Sequence, residues 1–145
     1  MEKDSKPLFV IDTNPAVNWP VTVKLPADGG TFVEYQFTAR IRVLAEADYA
    51  ALAPVATNTP DVIVPAAPTW QEILADNARQ FASLVVGWEG PTDTEGNPVP
   101  FTPEALKSQV LGPRGKELSA GLWQAISEVR FGARLKNSEP LPAAG

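Results

Sequence analysis

The chain has 145 residues and no histidine or cysteine, which excludes disulfides, thiolate nucleophiles, histidine or cysteine zinc sites and every histidine-based catalytic triad. Its 12 basic residues against 17 acidic ones leave a net charge of −5, which argues against a nucleic-acid or anionic-membrane partner. The length suits one domain able to bury roughly two-thirds of its unfolded surface, no apolar run approaches the ~20 residues of a membrane span, and the opening residues lack the apolar core of a secretory leader.

Residues 1–6 are charged and expected to fray. The apolar run 8–11 has the character of a short strand covered on both faces, and Asp12, Asn14 and Pro15 supply the turn chemistry that reverses the chain. Between Val17 and Val43 the sequence writes a β-hairpin. Val17, Trp19, Val21, Val23 and Leu25 alternate with polar residues or proline, and Val33, Tyr35, Phe37, Ala39, Ile41 and Val43 do so again, each run giving one dry face. A loop over 26–30 sets Leu25 opposite Thr31, Val23 opposite Val33, Val21 opposite Tyr35 and Trp19 opposite Phe37, the last three pairs being apolar on both sides. Pro20 cannot donate a ladder hydrogen bond, so it places the first strand at a sheet edge or beside a bulge. A lone hairpin is marginal in water and needs a lid.

The alanine-rich stretch 45–52 predicts a short helix ended by Pro54. A linker over 57–68, with an apolar island at 62–64, then separates a β half (8–43) from an α half (45–137) of a single domain, 1–137. Thr69 and Glu72 form a capping box, and Ile73, Leu74, Ala78, Phe81, Leu84 and Val85 trace an amphipathic stripe that Gly87 is expected to close as a C′ residue. A Gly/Pro loop runs over 88–100. Thr102 as N-cap and Pro103 at N1 restart a helix bearing Leu106 and Val110. A final helix over 116–133 carries Leu118, Leu122, Ala125, Ile126 and Val129, with Arg130, Arg134 and Lys136 placed where cations suit a helix end. The tail 138–145, rich in proline and alanine, is expected to be disordered. The fold class is therefore α+β: an N-terminal antiparallel hairpin or small sheet packed against three to four helices.

Reactive groups do not converge. Asp93, Glu95 and Asn97 fail the calcium-loop spacing because glycine comes fourth rather than sixth, and Gly112 to Lys116 fails the phosphate-loop spacing with no strand leading into it. No catalytic, cofactor or metal site is expected. The aromatic residues are better candidates. Trp19 and Trp70 are assigned to the core and the cover of the sheet. Trp88 in its Gly/Pro loop and Trp123 beside its helix stripe have the placement of interface anchors. With Phe101, Arg130, Phe131 and Arg134 they make the candidate partner-binding set. Between residues 44 and 104 Arg79 is the only base among many acids, whereas 114–136 is net basic, which makes the closing helix the preferred partner-facing or self-associating element.

The segment from Val86 through Trp88, Glu89 and Gly90, then Asp93, Gly96, Pro98, Phe101, Thr102 and Glu104 to Leu106, together with Asn18 to Val23, Ala27 to Gly30, Phe37 to Arg40 and the ending Arg134 to Asn137, resembles the tail assembly chaperones of long-tailed bacteriophages and prophages. The resemblance implies a non-enzymatic protein of the host cytoplasm that keeps the tape measure protein soluble before tail-tube polymerisation. Implied partners are the tape measure protein, a longer frameshifted form of the chain, and other copies in a homo-oligomer. The alternative is a structural tail or head-tail joining protein retained in the virion. A carboxylate-using hydrolase is a distant third, disfavoured by the missing histidine and cysteine.

Overall fold

The computed structural model describes residues 8, 9, 11–52 and 67–132. Strands β1 (Ala16–Ala27) and β2 (Thr31–Arg42) form the hairpin. The parity is the expected one, with odd-numbered residues facing odd-numbered residues. The register is two residues tighter: Trp19 faces Ala39, Val21 faces Phe37, Val23 faces Tyr35 and Leu25 faces Val33. Asp28, Gly29 and Gly30 reverse the chain in a three-residue turn, the two glycines at φ of 81° and 79°, a region closed to most side chains. Pairing therefore extends to Ala27 and Thr31, and the five-residue loop is replaced by a shorter one. Among the described residues β1 is an edge strand, the first of the two placements that Pro20 allows.

The third strand is not the run 8–11. Leu8, Phe9 and Ile11 lie outside any strand, 85–90% exposed. Helix α1 (Glu46–Leu52) follows β2, and α2 (Trp70–Leu84) is started by the full capping box, with Thr69 Oγ1 accepting from the Glu72 N–H at 3.1 Å and Glu72 Oε1 from the Thr69 N–H at 2.9 Å. That helix stops at Leu84, earlier than its stripe suggests. The β-branched pair Val85 and Val86 turns extended and opens β3 (Val85–Glu89), which pairs antiparallel with β2 across Thr38–Glu89, Ala39–Trp88 and Arg40–Gly87, with a bulge before Ile41–Val85. Gly87 is thus a strand residue rather than a helix cap. The vacant side of β2 offers a backbone partner that a helix end does not need, and β-branched residues fit a pleated surface. The sheet consequently draws its third strand from the α half, so the two halves share one core.

Helix α3 (Pro103–Val110) begins at Thr102, whose Oγ1 accepts from the Ala105 N–H at 2.9 Å, with Pro103 at the first position. Helix α4 (Gly115–Phe131) crosses β1. Leu122, Ala125 and Ile126 of α4, Phe81 and Leu84 of α2, and Leu106 and Val110 of α3 close over Val21, Val23, Ala39 and Ile41 of the sheet. The opposite sheet face is polar and exposed through Asn18, Thr22, Lys24, Glu34, Gln36 and Arg40. Most of the linker 57–68, the close of the last helix at 133 and the tail 138–145 lie outside the described residues. Among the described residues, no helix is long and apolar enough to cross a membrane.

Candidate functional site

The site is set by a mismatch in strand length. β3 pairs with β2 only from Thr38 to Ile41, so among the described residues no strand covers β2 on that side between Thr31 and Phe37. Beneath this free edge lies an apolar groove of about 430 Å³ lined by Tyr35, Phe37, Trp88, Pro91, Val99 and Leu118, with Asp93 and Gln109 at its polar margin.

Trp88 holds the groove wall in place. Its indole N–H donates to the Val99 carbonyl at 2.7 Å, and its ring meets Phe37 and Phe101 edge-on at 6.4 Å and 5.1 Å, an arrangement favoured by the aromatic quadrupole. The loop it anchors is a small hairpin of its own. Thr92 bridges Pro98, and the Val99 N–H donates to the Pro91 carbonyl at 2.9 Å. Asp93 knots its tip: Oδ1 accepts from the backbone N–H of Glu95 at 2.8 Å and of Asn97 at 2.9 Å. The Asn97 N–H, then that of Glu95, hold the Asp93 carboxyl below the usual aspartate range. These oxygens are spent on the loop's own amides, and among the described residues no group of three acidic side chains could hold a metal ion. Gly112 to Lys116 is helix punctuation: the Gly112 N–H donates to the Gln109 carbonyl and that of Gly115 to the Gly112 carbonyl.

Compared with protein-family models, curated proteins and solved structures, the chain matches none.

The candidate residues fall on three places. Trp88 lines the groove, and Phe101 packs edge-on against its ring from behind the lining. Trp123 is half-buried, its ring 4.8 Å from that of Phe81 inside the helical layer. Arg130 and Phe131 lie at the end of α4, and Arg134 is outside the described residues. Trp19, assigned to the core, packs against it with its indole N–H on Glu128 Oε1 at 2.8 Å. Sequence reasoning missed Tyr35 and Leu118 as groove residues. Tyr35 belongs to the dry face by periodicity but is 56% exposed, and the available signal is that β2 outruns both β3 and the helices that cover the sheet.

Arg130 grips α1. Its Nε and Nη2 donate to both oxygens of Glu46 at 2.6–3.2 Å, and its guanidinium lies over the Tyr49 ring at 4.6 Å and the Phe131 ring at 5.0 Å. The hydrogen bonds from Arg130 hold the Glu46 carboxyl below the usual glutamate range. A depressed folded value means that this contact contributes fully above the unfolded pKa and is lost as pH falls through the folded one. Amide protection in α1 should therefore decline as pH falls below ~4, and Glu46→Gln should flatten that response. Unchanged protection of α1 in Arg130→Ala would show that Tyr49 alone keeps the helix docked.

Proposed function

We propose that this chain is a non-enzymatic tail assembly chaperone of a long-tailed bacteriophage or prophage, acting in the host cytoplasm on the tape measure protein. The observation that carries the reading is the placement of the segment bearing the resemblance. Trp88, Val99 and Phe101 belong to the stapled unit of β3, its loop and the start of α3 that walls the apolar groove. A long amphipathic helical client needs such a groove on a body whose net charge keeps the complex dissolved, and the net charge here is −5. The absence of histidine and cysteine supports a binding rather than a catalytic role. The exposed aromatic residues at the hairpin tip, Phe32 and Tyr35, are the specific support for the second reading, a structural tail or head-tail joining protein that buries them in the particle.

Co-expression with the cognate tape measure protein should raise the soluble yield of that protein, and the two should co-purify. A contact made by apolar surfaces with a polar rim should weaken little at moderate salt. A tape measure protein that stays insoluble, or recovery of this chain as a stoichiometric component of mature particles, would favour the structural reading.

A further inference from the structure

Two unsatisfied features of the molecule complement each other. The first is the free edge of β2 between Thr31 and Phe37, which exposes apolar side chains on both sides: Val33 and Tyr35 are 39% and 56% exposed on the helix side, and Phe32 is 69% exposed on the other, where Glu34 and Gln36 are its polar neighbours. The second is the segment before β1, where Leu8, Phe9 and Ile11 stand 85–90% exposed. A run apolar at successive positions has no side to leave in water and suits a strand covered on both faces.

That segment has no good place in its own copy. The outer edge of β1 carries Pro20 and Pro26, which lack donors, and Lys24, a combination that blunts strand addition. The free edge of β2 is out of reach of the run as a whole. The Pro15 carbonyl accepts from the Val43 N–H at 2.9 Å, which ties the segment to the far end of β2. From Val43 to Gln36 the strand covers about 24 Å at ~3.4 Å per residue. From Pro15 back to Ile11 a fully extended chain spans at most about 14 Å and back to Leu8 about 25 Å, so only the first residue of the run could touch the near end of that edge and the run cannot lie along it.

We propose that residues 8–11 of one copy add as a further strand to the Thr31–Phe37 edge of β2 in a second copy. Phe9 and Ile11, on one face of that strand, enter the groove beside Tyr35 and Leu118, and Leu8, on the other face, covers Phe32. Main-chain hydrogen bonds along the edge supply affinity and the groove supplies selectivity. Because each copy donates one segment and accepts another through a different surface, the contact is heterologous and builds chains or rings rather than a closed dimer. Self-assembly of this kind is independent of any client, since it is measured on this chain alone.

Sedimentation velocity over a concentration series should show species larger than a dimer growing with concentration. Phe9→Asp combined with Ile11→Asp should abolish this growth, and so should Val33→Lys, which points a charge inward at the free edge, with both variants keeping the wild-type circular dichroism. Mixed in equal amounts, the double-aspartate copy still has an open edge and the Val33→Lys copy still has its segment. They should form a 1:1 heterodimer that grows no further. A wild-type chain that stays monomeric throughout the series, a double-aspartate variant that assembles like wild type, or a mixture of folded variants that remains monomeric would each overturn the proposal.

Discussion

Gly121→Ala should lower the stability of the fold by about 2–3 kcal/mol. At an exposed helix interior the same change would raise stability by about 1 kcal/mol through helix propensity, so the sign of the effect is itself the test. A Cβ at Gly121 would fall 2.4 Å from the Thr22 carbonyl oxygen and 3.2 Å from Val21 Cγ1. The carbonyl belongs to the β1 backbone and cannot swing aside as a side-chain tip would. α4 has to lift instead, loosening the layer in which Leu122 and Ile126 are buried against the sheet. At this chain length 1 kcal/mol corresponds to roughly 2–4 °C in Tm, so calorimetry should record a loss of roughly 4–12 °C. A gain in Tm would show that α4 does not approach β1 this closely.

Trp88→Ala should cost about 3–5 kcal/mol, the range for truncating a large aromatic side chain in packed surroundings. Two edge-on aromatic contacts and the hydrogen bond to the Val99 carbonyl go with the ring. Trp88→Phe keeps most of the packing and loses the donor, so it should cost about 1–2 kcal/mol. Both variants should release the loop from Gly90 to Thr102, read as faster amide exchange at Asp93 and Val99, whose N–H groups donate within it. An unchanged Tm in Trp88→Ala, together with lost co-purification of the tape measure protein, would instead make Trp88 a contact residue and not an anchor.

Local chemistry was legible in the residues. Thr69 and Glu72 cap α2 reciprocally, and Thr102 with Pro103 starts α3, because a cap is decided within four consecutive residues and needs no distant partner. The hairpin parity was legible for a related reason: a one-residue slip would put every apolar residue of a strand on the wet face. A two-residue slip leaves that alternation intact. The choice between Val21–Tyr35 and Val21–Phe37 therefore rested on the turn, where Gly29 and Gly30 at positive φ allow three residues to do the work of five.

The α+β class, the hairpin with its dry face, and the starts of the helices are thus written in the order of the residues. The third strand, the groove and the grip on α1 are not, and come only from the packed molecule. Leu84 and Val85 continue a helical stripe and equally begin a strand, and the vacant side of β2 selected the strand. Tyr35 is half of a dry face by pattern and solvent-exposed in fact, because exposure depends on how far β3 and the helices extend along β2. Arg130 reads as a helix-end cation until α1 brings Glu46 beneath it from 84 residues away. Periodicity and capping are short-range and belong to the chain. Edge pairing, cover and long-range ion pairs depend on which surfaces remain unsatisfied once the core has closed.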